Sequence, residues 1–279
     1  MNGTEFQFRL WTWLTALRYI RNIHQLPIDT IHSFWLEETT LVGQWANRFL
    51  KVHHIASLMG QDADFSNSYL HRLNFGSLIT SAGSDHAVKT LGNKGQIDHI
   101  IPIGIDRQDF PKRKLSRAID VVGVGALTKL KNYSLFLDLI GELKEDLPDI
   151  RSVIIGSGPE QKQLESLILK YGLEANVRLT GHLDRSDVLQ HMANSRILLH
   201  TSSYESQGYV FNEALYSGMS VVCFPVGNAA SAKTHLCKTR REMLQALRNL
   251  LKSPCDTNPI MLQSIEETVA AFWGLYSRA

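Results

Sequence analysis

Short apolar runs rich in Val, Ile and Leu alternate with amphipathic stretches along almost the whole chain. Candidate strands are 28–35, 52–59, 77–82, 97–104, 118–125, 152–158, 177–181, 196–201 and 220–225. The runs are continuous rather than alternating, as in strands covered on both faces. Helices are expected over 132–147, 159–171, 184–195 and 208–217, with Pro159 at a helix start and Gly172 and Gly218 just past helix ends. Strand, helix, strand in this order predicts an α/β fold of doubly wound, parallel sheets. A last helix over 260–276 carries Phe272, Trp273 and Tyr276, apolar groups that must cover something, and is expected to run back towards the start of the chain.

The repeat is interrupted once. Residues 106–117 are polar, contain Pro111 and have no periodicity, so they read as a linker; the basic cluster Lys112, Arg113, Lys114 within them reads as a solvated stretch or an anion patch. This predicts a partial first domain over 1–111, a complete one over 118–258, and a C-terminal helix within 259–279. The first domain holds fewer strands than a doubly wound domain usually has, and a front portion of roughly 80 residues is expected to be missing. Residues 5–22 form a helix with Phe6, Leu10, Trp13, Leu14 and Leu17 on one face and Arg9, Arg18 and Arg21 elsewhere. It reads either as an interfacial membrane helix or as one packed on the sheet edge.

Composition narrows the function. The 279 residues are 44% hydrophobic and 20% charged with a formal net charge of +2, globular in make-up and too weakly basic for a dedicated nucleic-acid binder. Cys223, Cys237 and Cys255 have no metal-like spacing, and the eleven histidines never fall at ligand spacing. No run reaches the roughly 20 apolar residues that span a bilayer, and no signal-peptide pattern opens the chain. A cytoplasmic protein is expected, with peripheral contact at the membrane face.

The chemistry concentrates in 196–225. A buried strand ends in small polar residues, Glu205 follows, a helix opens near Gly208, and Glu213 stands within it. The glycine lets a ligand approach closely, and the free amides around Gln207, Gly208, Tyr209 and Val210 form an anion site at the positive end of the helix dipole. Glu205 can reach past a phosphate to a hydroxyl-rich group, and Glu213 can accept from a second pair of hydroxyls such as those of ribose. By themselves, two glutamates at this spacing also suit an ordinary strand, loop and helix. Gly125 ends the first strand of the same domain, and Lys131 after it can aim an ammonium at the same phosphate; Gly158, before Pro159, closes the next strand similarly. Strand ends on one side of a parallel sheet converge, so these loops should meet.

This order of motifs resembles glycosyltransferase family 4, of the GT-B fold, in which two Rossmann-like domains face a cleft. The likeness runs from about residue 28 to the C-terminus and is strongest over 118–225, where the family's pair of glutamates separated by seven residues falls on Glu205 and Glu213. It implies transfer of a sugar from a nucleoside diphosphate donor, UDP- or GDP-linked, to a glycan or lipid-linked acceptor, with retention at the anomeric carbon and without a metal or further cofactor. Glu205 would then bond the donor sugar, Glu213 the ribose, Lys131 the diphosphate, and the amides of Gly208 to Val210 the phosphate next to the sugar. The loop Gly60, Gln61, Asp62 is similar to the one facing the donor sugar from the first domain, which makes Asp62 catalytic beside Glu205 and Lys131. Ala126 stands where the family usually has Arg, Met59 where many members have His, and no Glu follows Gly227 and Asn228.

The resemblance suggests front-side attack through an oxocarbenium-like state, with the departing phosphate taking the acceptor's proton. Two rivals remain open: a fragment that binds a nucleotide-sugar without transferring it, and a sugar-nucleotide epimerase of the same architecture. Asp62 and Asp64 also spell the Asp-x-Asp of metal-dependent transferases, which a phosphate site built on Lys and amides makes redundant.

Overall fold

A computed structural model describes residues 3–24, 28–63, 66–112, 116–229 and 231–277. Asp64 of the Asp-x-Asp stretch, Arg113 and Lys114 of the basic cluster, and the side chains of Phe6, Leu10 and Arg21 lie outside the described residues. The chain divides into two compact units, 1–102 with 268–279, and 103–267.

The first unit holds α1 (Gly3–His24), β1 (Thr30–Phe34), α2 (Glu38–Leu50), β2 (His53–Leu58), β3 (Ile79–Ala82), α3 (Asp85–Leu91) and β4 (His99–Ile100). Its sheet is parallel throughout, in the order β1-β2-β3-β4. Leu36, Leu41, Ala56, Leu58, Leu78 and Leu91 form its core. His53 is exposed and His54 buried. The His54 ring lies flush on Gly43 of α2, where a Cβ would fall 2.1 Å from Nε2, and that nitrogen is 2.8 Å from Ser33 Oγ.

The second unit holds β5 (Ile119–Val124), α4 (Tyr133–Asp146), β6 (Ser152–Ile155), α5 (Gln161–Lys170), β7 (Val177–Leu179), α6 (Arg185–Ala193), β8 (Ser195–His200), α7 (Tyr209–Tyr216), β9 (Ser220–Cys223), β10 (Thr234–Leu236) and α8 (Arg240–Lys252). All pairings are parallel, in the order β10-β9-β8-β5-β6-β7. Chain direction across the sheet therefore reverses between β5 and β8, and ligands of such sheets bind outside the carboxyl ends of the strands at that switch point. Successive residues serve opposite faces. Val121 and Ile197 pack with Phe136 under α4, while Val122 and Leu198 pack with Phe211 under α7, which is why these strands read as unbroken apolar runs.

Two expectations need correction. The stretch 106–117 is not a free linker: residues from Ile103 belong to the second unit, and Phe110, 8% exposed, packs edge-on against Tyr216 at 4.7 Å. The last helix, α9 (Ile265–Tyr276), starts later than 260. The Ser264 Oγ accepts from Glu267 N at 3.2 Å and a Glu267 carboxylate oxygen accepts from Ser264 N at 2.7 Å, a reciprocal cap that sets the first turn. Before it, the backbone amides of Ile260 and Leu262 donate to Leu215 O and Asn212 Oδ1.

Candidate active site at the switch point

The loop after β5 is fixed from both sides. Lys131 N donates to Thr128 O at 3.0 Å, closing a tight turn before α4. The small polar residues that end β8 hold the turn from beneath: Thr201 Oγ1 donates to Lys131 O at 2.8 Å, and Ser203 N donates to Leu130 O at 3.0 Å. The turn after β6 zips onto the same loop, with Leu127 N donating to Ser157 O at 2.9 Å and Glu160 N to Leu127 O at 3.0 Å. Gly158 sits here. A Cβ on it would fall 2.5 Å from Leu127 O, so its place in the site is to let two backbones touch.

This scaffold brings Lys131 to Glu205. The ammonium and carboxylate form an ion pair with 21% and 15% of their side-chain surfaces exposed, and the same carboxylate oxygen bonds His200 Nε2 at 2.8 Å. Burial works against the Glu205 charge, but the hydrogen bond from His200 and the charge and hydrogen bond of Lys131 outweigh it and hold the carboxyl below its ordinary range. Burial also keeps the His200 imidazole neutral. Beside the pair, burial and the Glu205 charge raise the Tyr133 phenol.

Gly208 caps α7 at φ +73°, a left-handed conformation, with its backbone flush on the fully buried Phe211 ring. The amides of Tyr209 and Val210 stand ahead of the first helical bond, Phe211 N to Gly208 O, and donate to no acceptor among the described residues. Gln207 is committed elsewhere. Its side-chain amide bonds both Ile103 N and Ile103 O, at 2.8 and 2.7 Å, and its carbonyl accepts from Asn228 N. Gly208→Ala places a Cβ 2.3 Å from the Phe211 ring and forces an unfavourable φ. A stability loss of about 2 kcal/mol is expected, readable by thermal melting.

Glu213 is 6% exposed on α7 and paired with Arg185, the first residue of α6. Arg185 also reaches Asp109 at 3.1 Å and the Tyr209 hydroxyl at 3.2 Å. Burial raises the Glu213 carboxyl and Arg185 only partly offsets it. Arg185→Met should raise it further and cost about 1–2 kcal/mol, less than a fully enclosed pair because the guanidinium is half exposed. Carboxyl-carbon NMR of Glu213 across pH 4–8 checks the direction.

Asp62 has a different place from the one expected. It is 2% exposed in the first unit, and its carboxylate accepts from the backbone amides of Leu36, Met59 and Gly60 at 2.6–3.2 Å. Three amides occupy the oxygens that a catalytic or metal-binding role would use, so Asp62 organises the turn after β2, with Gly60 as one of its donors. Arg185, Asp109 and His200 were missed by sequence reasoning. Only His200 left a local mark, as the polar residue that closes the apolar run Ile197, Leu198, Leu199 of β8.

Residues 105–236 match the model of the family described as glycosyl transferases group 1. One human relative, a subunit of phosphatidylinositol N-acetylglucosaminyltransferase, is 34% identical over 151 residues, 53% of this chain. The match spans 31% of the human protein's own length. Among solved structures, Anabaena Alr3699/HepE in complex with UDP and glucose superposes with a TM-score of 0.76 at 19% identity, covering 94% of this chain and 81% of that one. A sucrose-phosphate synthase from Thermosynechococcus elongatus gives the same TM-score at 15% identity, covering all of this chain and 80% of its own. These likenesses establish the α/β, parallel-sheet fold of GT-B glycosyltransferases.

Proposed function

We propose, from the match of residues 105–236 to the model of the glycosyl transferases group 1 and from the site's geometry, that the chain moves a sugar from a UDP- or GDP-linked donor to a glycan or lipid-linked acceptor, with retention. The carrying observation is the Lys131 and Glu205 pair, held at the β5/β8 switch point beside the bare amides that open α7. In this reading the diphosphate rests on the Tyr209 and Val210 amides and takes the Lys131 ammonium. Glu205 then turns its second oxygen to the donor sugar, and Glu213 accepts from the ribose hydroxyls. The developing charge on the departing phosphate is met by groups already in place, which is where such catalysis gains most.

Titration calorimetry with UDP and GDP, followed by an assay with their sugars, is the test. Saturable binding of one nucleotide and transfer to an acceptor are expected. No heat with either refutes the reading, and binding without transfer reassigns the chain to a nucleotide-sugar binder.

The acceptor side of the proposal includes contact with a membrane face. No helix among the described residues is long and apolar enough to cross a bilayer, but α1 exposes Trp11, Trp13 and Tyr19 together with Arg18. Aromatic rings and a cation on one 22-residue helix suit the headgroup layer of an anionic bilayer. Co-sedimentation with phosphatidylglycerol vesicles is expected, and should fall severalfold on replacing Trp11 and Trp13 by Ala.

A further inference from the structure

His200 has no part in the chemistry assigned so far, yet it is one of the most enclosed polar groups of the second unit. It ends β8 at 3% exposure, and its ring stands edge-on to Phe211 with centroids 4.9 Å apart and planes at 81°. Its Nε2 is 2.8 Å from the Glu205 oxygen that also receives Lys131. An ionised carboxylate offers only lone pairs, so Nε2 carries the proton and the imidazole is a neutral donor. The titratable groups facing Glu205 are thus Lys131 from the β5 loop, His200 from β8 and the Tyr133 phenol from α4.

The two donors on that oxygen are not equivalent. Lys131 is the terminus of a flexible chain, free to swing to a phosphate. His200 is locked by its strand and by Phe211, the ring on which the Gly208 backbone lies. A carboxylate at 15% exposure that lost its cation to a ligand would, without another donor, rotate or take up a proton. We propose that His200 is a positioning residue that keeps the Glu205 carboxylate oriented and charged while Lys131 engages the diphosphate. Being neutral, it adds no second cation to compete with Lys131 for the phosphate. The ligand in this statement rests on the reading given above, whereas the anchoring of Glu205 is a property of the free protein.

The test needs no nucleotide, so its failure and that of the donor reading are distinct. Lys131→Met mimics the departed lysine, and carbon-13 NMR of the Glu205 carboxyl follows its titration. With His200 present, Glu205 should remain ionised at neutral pH. In Lys131→Met/His200→Met its midpoint should rise by a pH unit or more, and Lys131→Met/His200→Gln, which restores an N–H donor, should recover most of that shift. Superimposable titrations with and without His200 would overturn the proposal. If the His200→Met chain does not fold, nitrogen-15 NMR of the unsubstituted chain decides: Nε2 protonated and Nδ1 bare from pH 8 to 5 is expected, and the opposite tautomer contradicts it.

Discussion

Lys131→Ala should lower turnover of a nucleotide-sugar at least tenfold, a loss of about 1.4 kcal/mol or more in transition-state stabilisation, and Glu205→Ala should do the same. Of the two lysines in the β5 loop, Lys129 is exposed and Lys131 is the one paired with Glu205; Ala126, beside Gly125, offers no charge, so removing Lys131 takes away the cation placed for the departing diphosphate. Removing Glu205 acts differently. It frees Lys131 and His200 from their shared acceptor and takes away the carboxylate proposed to hold the donor sugar. The two variants should therefore diverge in UDP affinity, with Lys131→Ala weakening it and Glu205→Ala sparing it. Steady-state kinetics with calorimetry read both effects, and unchanged turnover in either variant would contradict the assignment.

Acidification from pH 7 to 4.5 should destabilise the first unit through His54. Burial, reinforced by the charge of His32 nearby, lowers the His54 pKa from 6.5 to about 4. The unfolded chain takes up a proton as pH falls through 6.5, whereas the folded unit resists until about 4. Stability is thus complete above pH 6.5, falls through that window and loses nothing further from this group below it. The full shift corresponds to up to about 3 kcal/mol. His32 is lowered in the same direction by burial, between Ser57 Oγ and the Tyr276 hydroxyl, each 2.7 Å from a ring nitrogen. Urea unfolding at a series of pH values, compared with His54→Gln, isolates the His54 part. A midpoint independent of pH between 7 and 4.5 would contradict the neutral buried imidazole.

The second unit was legible because its physics is local. Continuous Val, Ile and Leu runs mark strands covered on both faces, and Gly172 and Gly218 stop helices where only a left-handed residue fits. The meeting of the Lys131 and Glu205 loops followed from the same logic, since parallel strands bring their C-terminal loops together, whereas the ion pair between the two side chains was not anticipated. β10 was missed because three residues with two exposed side chains carry no apolar run. Arg185 was missed for another reason: it meets Glu213 through the packing of α6 beside α7, and nothing in its own neighbourhood signals the partner. Asp62 shows the converse, because a Gly-x-Asp loop looks the same whether its carboxylate faces a ligand or, as here, two amides of its own turn and that of Leu36 after β1. The capping pair Ser264 and Glu267 carried a readable start signal that would have moved the last helix to its observed first turn.

The central claim is that a nucleoside diphosphate seats on the first amides of α7. Amide NMR of a nitrogen-15-labelled chain during addition of UDP or GDP tests it most directly. Large, saturable shifts at Tyr209 and Val210, accompanied by a shift of the Lys131 ammonium, are what this account predicts. Saturation that leaves those two amides unmoved while others shift would place the nucleotide elsewhere and contradict it.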